Sequence, residues 1–559
     1  MKQPVNLFRT ALAAAIITCG AVITFGTPAS AANLPPRNPY LADSHWPILH
    51  GGSDAQKASP YAGPGIPRRG SGRQLSGDEI RFAATGFIEP ISLNWSGPYP
   101  DGRRAIWVGT HQHLVKLDGE TLETLSTYVV RDGLYTSEGD IERITRKMDE
   151  YVAAKDYEGL FDLVDKTSGN LLRDEHTGNC YAFTNNRNER AFYFRDRDTG
   201  KRYLRFFGDA VEGDIESAIE LKREWEIPDV DGKPFIPFAF NMTFDGWIVL
   251  ASNSGILMAI SEDLSEYRTI DLAADKAIDA SLDAISSYVR SGINVDDENG
   301  IYVVTNDYMV RVQWTGDDFS MDPEKGAWEA PYPNGPRGSG TTPVLMGFGE
   351  EDRLVLIGNG VAEDPTIMLF WRDEIPADWQ GLEGYDRRVA GVAEVAWPDG
   401  KSRFIVENSP AVMGWGIFAT PETPSKVVPD QGSVVKQLMA ETVSTVLPGW
   451  EAVGGTKWEW DPEKRELKQA WMTPLKLAAS MCSPSRANEL LYCIGLRDRD
   501  FTLEAIDWNT GKSAFHYVLG PSMRYFAYNN LVVTPDGAVD LHSWLGGGVV
   551  RMKPDTDKR

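Results

Sequence analysis

The sequence predicts an all-β fold in which one short unit recurs along the chain and closes into a ring. Residues 238–260, 291–312 and 528–552 share one pattern. Each has a strand of small and apolar residues, an Asp-Gly or Asn-Gly turn and two further apolar strands, which is the pattern of a β-meander. Glycine and tryptophan are abundant, with 53 and 17 residues, as expected when turns alternate with stacked sheets. Together these observations indicate a β-propeller.

Five looser copies of the pattern complete the ring. They occupy residues 92–118, 179–196, 343–371, 407–420 and 478–508. The copies start about 50 to 90 residues apart, and propeller blades run about 40 to 50 residues before insertions. We therefore predict seven or eight four-stranded blades and favour eight. A solenoid or a pair of β-sandwiches is the alternative.

Residues 1–32 have the layout of a cleavable secretory signal peptide. Lys2 and Arg9 precede an apolar stretch at 11–25, and small residues follow at 28–32. The apolar stretch has about 15 residues, fewer than the roughly 20 that a membrane-spanning helix needs. No later stretch is longer, so we expect a periplasmic or secreted protein without a membrane span.

The rest of the chain divides into an arm and a ring. Residues 33–80, which begin rich in proline and glycine, predict an extended arm that wraps the ring, and residues 81–559 predict one propeller domain. Within that domain, residues 137–163 have apolar side chains at helical spacing with charges between them, so we predict a short helical insertion. Residues 273–289 predict a second helix.

The charge excludes one class of partner. Asp and Glu number 80 against 56 Lys and Arg, a net charge of −24. Nucleic-acid binding needs a basic surface that displaces counterions from phosphates, so we expect no such partner. A small-molecule or saccharide-like substrate is compatible with this surface. No pattern in the sequence indicates an oligomeric state.

Three cysteines lie beyond the signal peptide. Cys482 and Cys493 flank a predicted strand-turn-strand segment, and export would permit a disulfide between them. Cys180 would then remain as a buried thiol, because no activating base is near it in the sequence.

Candidate metal ligands stand where the innermost strands begin. Asn241 and Asn294 hold this position in two copies of the repeat, and Glu407 and Asn408 hold a similar one in a third. Innermost strands converge on the ring axis, so these oxygen atoms meet at one mouth of the central channel. Ca²⁺ takes 6 to 8 oxygen ligands, and we expect calcium or another divalent metal there. The alternative is that these asparagines only cap turns.

Residues 291–307, Ser-Gly-Ile-Asn-Val-Asp-Asp-Glu-Asn-Gly-Ile-Tyr-Val-Val-Thr-Asn-Asp, resemble blades of the gluconolactonase and senescence-marker-protein group. In that group a Glu, two Asn and an Asp hold a catalytic divalent cation. The resemblance covers about two blades and implies Asn241 and Asn294 as ligands, with Glu89 of Phe-Ile-Glu-Pro as the glutamate. No aspartate of this chain matches the fourth ligand.

A second resemblance concerns the quinoprotein propellers. Residues 46–48, Trp-Pro-Ile, and 507–512, Asp-Trp-Asn-Thr-Gly-Lys, are similar to segments of that group. Its active alcohol-oxidising members commonly carry two adjacent cysteines beside the quinone, and no two cysteines of this chain are adjacent. We therefore do not expect pyrroloquinoline quinone as a cofactor.

Histidines are the candidate proton-transfer residues. His111 and His113 lie two apart on a predicted strand, so they face the same side. A ring also brings His45 and His50, near the start of the chain, together with His542 near its end. Imidazoles from several blades would supply a general base or bind a metal. The alternative is that each is a hydrogen-bonded structural residue.

Three functions follow from these patterns. The first is a metal-assisted hydrolase of the lactonase or esterase type that acts at the central channel. The second is a non-enzymatic propeller that binds a ligand or protein through an exposed aromatic patch, for which Trp371, Trp415 and Trp458 are available. The third is a quinone-dependent oxidoreductase. We favour an enzyme of the first kind.

Overall fold

The computed structural model describes residues 34–558 except 69, 88–92, 111–112, 131–136, 170–181, 197, 275, 277–287, 336–337, 350, 362–364, 396–407 and 479–480. Across these residues, thirty-five strands form eight sheets arranged as the blades of one ring. The prediction of an eight-bladed all-β propeller is confirmed, and each of the eight copies of the repeat corresponds to one blade.

The strands of the first four blades follow the order of the chain from the axis outward. Blade 1 contains β3 (Leu93–Trp95), β4 (Ala105–Gly109), β5 (His113–Asp118) and β6 (Thr124–Val129), and blade 2 contains β7 (Phe183–Thr184), β8 (Arg190–Arg195), β9 (Arg202–Asp209) and β10 (Ile219–Glu226). Blade 3 contains β11 (Pro237–Met242), β12 (Ile248–Ser252), β13 (Ile256–Ile260) and β14 (Tyr267–Asp271), and blade 4 contains β15 (Asn294–Val295), β16 (Gly300–Val304), β17 (Tyr308–Trp314) and a divided outer strand, β18 (Phe319–Ser320) and β19 (Trp328–Pro331).

Blades 5 and 6 repeat this arrangement, and blades 7 and 8 add strands from the start of the chain. Blade 5 contains β20 (Val344–Met346), β21 (Leu354–Gly358), β22 (Thr366–Trp371) and β23 (Val389–Glu394), and blade 6 contains β24 (Ala411–Met413), β25 (Gly416–Ala419), β26 (Gly455–Asp461) and β27 (Glu466–Thr473). Blade 7 contains β28 (Lys476–Leu477), β29 (Ser483–Ser485), β30 (Leu490–Arg497), β31 (Asp500–Asp507), β32 (Ser513–Gly520) and β1 (Gly72–Gln74), and blade 8 contains β33 (Ala527–Val533), β34 (Val539–Ser543), β35 (Gly548–Met552) and β2 (Ile80–Ala84).

Strand β2 closes the ring. It pairs antiparallel with β35, with Phe82 opposite Val550, and so supplies the outer strand of the last blade from the beginning of the chain. Strand β1 extends blade 7 by pairing parallel with β32. The beginning and the end of the chain are thereby joined by backbone hydrogen bonds within blade 8, and the outer edge of β35 is covered.

The turns that predicted the repeat are present where innermost strands turn back. Gly246 has φ +96° and Gly537 has φ +78°, a region that favours glycine. A side chain at Gly246 would also lie 2.5 Å from the Tyr40 ring, so this turn is in close contact with the arm.

Helices cover part of one side of the ring. Helices α1 (Glu138–Ala154) and α2 (Tyr157–Val164), with a π-helical turn at Asp165–Gly169, form the insertion predicted from residue 137. Helix α3 (Val434–Ser444) lies between β25 and β26 and was not predicted. The three helices share one apolar core with blades 7 and 8. The second predicted helix falls largely on 277–287, outside the described residues.

None of the helices in the described part of the chain has the length and apolar character needed to cross a bilayer. Cys482 and Cys493 form a disulfide at the inner edge of blade 7. Cys180 lies outside the described residues.

Buried ion pairs hold strands together within and between blades. The Lys116 ammonium of blade 1 donates to the Asp209 carboxylate of blade 2 at 2.5 Å and to the Ser217 carbonyl at 2.8 Å. In blade 8, Arg551 lies 3.2 Å from Asp540, and both are buried. In both pairs, each buried charge lies within 4 Å of a group of opposite charge.

Candidate functional site

The arm enters the central channel as a hairpin. In its first leg, the carbonyl of Trp46 accepts a hydrogen bond from the backbone of Trp95 in blade 1, at 2.8 Å. The carbonyl of Pro47 accepts one from Thr184 in blade 2, at 2.7 Å. Both donors belong to innermost strands, so this leg lies against the channel wall.

The second leg lies against the opposite wall. The Asp54 carbonyl accepts a hydrogen bond from Leu345 of blade 5 at 3.1 Å, and the Gln56 carbonyl accepts one from Val412 of blade 6 at 2.9 Å. The arm was expected to wrap the ring. Its last part, at β1, pairs with the outer strand of blade 7, whereas residues 46–56 lie against the walls of the channel.

The arm enters the channel because burial of its apolar side chains is favourable. A tight turn lets its second leg run back along the first. Trp46, Ile48 and Leu49 are all buried, and burying each such side chain contributes about 1.5–3 kcal/mol. At Gly51, φ is +107°, and a Cβ there would lie 3.1 Å from the Lys57 backbone nitrogen, so only glycine fits the turn. Lys57 itself has φ +62°, a conformation that costs energy outside glycine.

A cavity of about 480 Å³ opens between the arm and the turns that follow the innermost strands of blades 1, 2 and 7. We call it the arm cavity. Four of the side chains that line it carry the chemistry discussed below: His45, Asp54, Lys57 and Arg486.

The arm cavity is lined by buried polar atoms that lack partners. Lys57 is 2% exposed, and its ammonium nitrogen has no hydrogen-bond partner within the part of the chain that the structure describes. The same holds, over the described residues, for Asp54 Oδ2 and for both ring nitrogens of His45. A buried polar group without a partner costs about 1–3 kcal/mol. Three such groups on one cavity indicate a binding or reaction site.

Burial shifts the pKa values of these groups in opposite directions. It lowers the pKa of the Lys57 ammonium well below its ordinary value, and the nearby Glu422 carboxylate only partly opposes this. Burial raises the pKa of Asp54, against the opposing charge of Arg486. Burial and the Arg104 charge lower the pKa of His45 to about 3. The cavity therefore favours a neutral amine, a protonated carboxyl and a neutral imidazole.

The turn of the arm is fixed at the far end of the channel. Ser409 Oγ, beside blade 6, lies 3.1 Å from His50 Nδ1 and donates to the Thr342 carbonyl at 3.0 Å. Burial lowers the pKa of His50, with a further contribution from the charge of Lys57. His50 and Lys57 are thus close enough to interact.

The predicted ligands Asn241 and Asn294 are buried on the innermost strands of neighbouring blades. Asn241 Nδ2 donates to the Ile293 carbonyl at 3.1 Å, and Asn294 Nδ2 donates to the Pro343 carbonyl at 3.1 Å. Each Oδ1 accepts the backbone N–H of the following residue, at 2.8 and 3.0 Å. Each side chain therefore joins its own blade to the next.

Of the other predicted ligands, only Asn408 belongs to the described residues. Glu89 and Glu407 lie outside the described residues. The backbone N–H of Asn408 donates to Glu422 Oε1 at 2.7 Å. Because the Glu422 charge also acts on Lys57, Asn408 is connected to the arm cavity through one carboxylate.

The predicted proton-transfer histidines lie on separate blades. His113 begins β5 of blade 1, and burial lowers its pKa. His542 is buried in β34 of blade 8. His111 lies outside the described residues. These positions do not test the predicted catalytic roles, which stay predictions.

The described side chains alone do not form the calcium site that the sequence predicted. Asn241 Oδ1 and Asn294 Oδ1 already accept backbone hydrogen bonds. Over the described residues, no three His, Cys, Asp or Glu side chains stand close enough together to hold a metal ion. We therefore derive no chemical step through a metal.

Sequence reasoning named His45 as a candidate but missed the other three groups of the arm cavity. Asp54, Lys57 and Arg486 belong to no motif, and the first two lie in a segment whose proline and glycine content predicted only an extended arm. The proximity of Arg486 to Asp54 follows from ring closure. The only sequence signal was the burial-prone Trp46–Ile48 segment inside an otherwise polar arm.

Comparison with known proteins assigns no activity to this chain. The chain matches no family model. It is 28% identical over 528 residues to an uncharacterized protein of Archaeoglobus fulgidus, covering 93% of this chain and 89% of the relative.

Two solved structures illustrate the likeness of fold. A periplasmic gluconolactonase of Pseudomonas aeruginosa aligns with a TM-score of 0.34 at 9% identity, over 79% of this chain and 97% of that one. BamB of Moraxella catarrhalis aligns with a TM-score of 0.33 at 10% identity, over 65% and 94%. Likenesses this distant indicate no activity for this chain.

Proposed function

We propose that the protein is a hydrolase of lactones or esters that works by general acid–base catalysis in the arm cavity. The observation that carries the proposal is the pair Lys57 and Asp54. Both residues line one cavity and are buried, and burial moves their pKa values toward each other. A neutral amine and a protonated carboxyl in one site are the base and acid that such catalysis needs near neutral pH.

The two groups have complementary roles in the proposed reaction. Lys57 Nζ accepts a proton from water as the water oxygen bonds to the substrate carbonyl carbon. Asp54 Oδ2 donates a proton to the alkoxide as the carbon–oxygen bond breaks. Water and ester thus become carboxylic acid and alcohol, and transfer of a proton from the Lys57 ammonium to the Asp54 carboxylate restores the site.

The size of the cavity is compatible with a small substrate. Its volume of about 480 Å³ falls within the roughly 300–1,000 Å³ typical of small-molecule sites. A sugar-sized lactone or a short ester is therefore the proposed substrate. Pro47 and Leu41 contribute apolar surface to the cavity walls, and the groups described above contribute polar surface.

We further propose that the protein acts outside the cytoplasm. The signal-peptide layout of residues 1–32 is the basis of this expectation. The Cys482–Cys493 disulfide supports it, because structural disulfides persist mainly in oxidising compartments.

A binding propeller is the second candidate. The outer strand of blade 4 is divided into β18 and β19, and a groove of about 1070 Å³ lies there, lined by charged residues such as Lys276, Glu329 and Arg388. This groove favours a ligand-binding role. The aromatic patch expected for that role is not formed by Trp371 and Trp458, because both are buried in the core between blades 5 and 6.

The experiment is a hydrolysis assay with a panel of small lactones and esters. We expect turnover by the full-length protein and a loss of about 100- to 10,000-fold in Lys57→Met, the size of a general-base contribution. Lys222→Met, on the outer strand of blade 2 and away from the channel, is the control and should keep full activity. Absence of turnover on the whole panel, or full activity in Lys57→Met, would overturn the proposal.

A further inference from the structure

We infer that the substrate of the arm cavity carries a free carboxylate, which Arg486 binds. The inference rests on the proposed function and adds the chemical class of the substrate. Arg486 follows β29 of blade 7 and lines the arm cavity. One of its Nη atoms donates to Gln56 Oε1 of the arm, which orients the guanidinium against the cavity wall.

Arg486 has no ion-pair partner among the residues that the structure describes, in contrast to Arg551 of blade 8, which pairs with Asp540 at 3.2 Å. Asp54 is near enough to influence its charge but does not form a salt bridge with it. A largely buried guanidinium stays charged, and its desolvation is costly when no carboxylate compensates for it. Over the described residues, the cavity therefore presents a cation that no carboxylate pairs with directly.

The surrounding charges support an anion. The protein has a net charge of −24, so an unpaired cationic site departs from the rest of the molecule. Arg37 at the cavity margin is already paired with Asp43, which leaves Arg486 as the unpaired guanidinium among the described residues of the cavity. The fork of an arginine side chain matches the two oxygens of a carboxylate, and such bidentate pairs are directional.

Burial raises the pKa of Asp54 and so disfavours its ionised form, which makes Asp54 compatible with an anionic substrate. An ionised Asp54 would repel a carboxylate in the same cavity, whereas the protonated form donates a hydrogen bond. Burial favours that protonated form. Arg486 thus acts as a specificity-determining residue that positions the carbonyl of the substrate near Lys57 and Asp54.

The test uses two esters that differ only at the far end, where one has a carboxylate and the other the isosteric carboxamide. We expect the wild-type protein to favour the carboxylate by about 10- to 100-fold in kcat/KM, the value of a charge-assisted hydrogen bond. Arg486→Gln should reduce this preference to about two-fold or less, and Arg486→Lys should retain part of it.

A second measurement uses the wild-type protein alone, so it does not depend on whether a variant folds. Succinate should raise the Tm of the wild-type protein, whereas succinamide at the same concentration should not. If both esters are hydrolysed at similar rates and succinate has no effect, the inference fails and the proposed hydrolase stands. If neither ester nor any substrate of the panel is hydrolysed, the proposed function fails. A Tm shift with succinate would then still support the carboxylate site.

Discussion

Ser409 Oγ lies 3.1 Å from His50 Nδ1, although 359 positions separate the two residues in the chain. This contact holds the turn of the arm beside blade 6, at the far end of the channel. The arm is thus held from opposite walls and at its turn, and the arm cavity exists only when the ring is closed around it. We therefore expect that substitutions at some side chains of the arm and the blades change stability, whereas substitutions at others change activity.

The first prediction contrasts two buried lysines. Lys57→Met should leave the free energy of unfolding unchanged or raise it by about 1–2 kcal/mol, because it removes an amine that is buried without a hydrogen-bond partner in the described chain. Lys116→Met should lower it by about 3–5 kcal/mol, because Asp209 would keep a buried charge without its cation. Urea denaturation measures both.

Equal losses of stability in the two lysine variants would contradict this prediction. They would mean that Lys57 has a partner as strong as Asp209. Lys222→Met, an exposed lysine of blade 2, serves as the reference for a lysine that contributes little to stability.

The second prediction concerns acid stability. In the folded protein the pKa of His45 is about 3, below the value of about 6.5 expected when unfolded. The unfolded chain therefore binds more protons as the pH falls below about 6.5, and folding stability decreases by about 1.4 kcal/mol for each pH unit. Between about pH 6.5 and 5, the low pKa of His45 should therefore lower the free energy of unfolding by about 2 kcal/mol.

His45→Phe should remove this part of the acid sensitivity. Phenylalanine retains the ring packing of His45 against Tyr61 and Trp95, whose centroids each lie 5.2 Å away. Denaturation curves at two pH values give the result. If the variant loses as much stability between them as the wild type, His45 is not the buried neutral imidazole described here.

The third prediction separates the two roles of Asn294. Asn294→Asp removes the donor to the Pro343 carbonyl and places a carboxylate oxygen against it. If the side chain serves to join blades 4 and 5, the variant should lose about 1–3 kcal/mol or more, with or without calcium. Rescue of its Tm by added calcium, beyond any effect on the wild type, would instead support the metal site predicted from the sequence.

Much of the fold followed from the sequence because a propeller repeats local patterns. The segment 238–260 contains β11, β12 and β13 in the predicted order, and the helical spacing from residue 137 became α1 and α2. Helix α3 was not predicted; it is inserted between β25 and β26 of blade 6, beyond the copy of the repeat at 407–420. Ring closure by β2 was missed because one short strand has no pattern of its own.

The candidate site was predicted less well because its chemistry depends on burial. Asn241 and Asn294 attracted attention as polar residues at repeated positions, and the structure gives both hydrogen bonds between blades. Lys57 is an ordinary lysine in the sequence. Its altered pKa arises from an arm that enters the channel, and no local pattern encodes that path.

The fourth prediction is a bell-shaped pH profile of kcat/KM. The rate should rise with pH as Lys57 loses its proton, and fall at higher pH as Asp54 loses its own, since the lowered pKa of Lys57 and the raised pKa of Asp54 bring the two ionisations together. Asp54→Asn should be slower by about 100-fold or more and should lack the fall at high pH. A wild-type rate that is independent of pH would contradict this assignment.

The most direct test of the account is the pKa of Lys57 itself. Competitive acetylation between about pH 5 and 11, read by mass spectrometry of the peptide containing Lys57, gives the titration of this one amine, with each rate normalised to its own maximum. We predict that Lys57 reaches half of its maximal reactivity well below pH 10.4, the value of an unperturbed lysine. If Lys57 instead titrates near pH 10.4, the arm cavity does not hold the neutral base on which the proposed function depends.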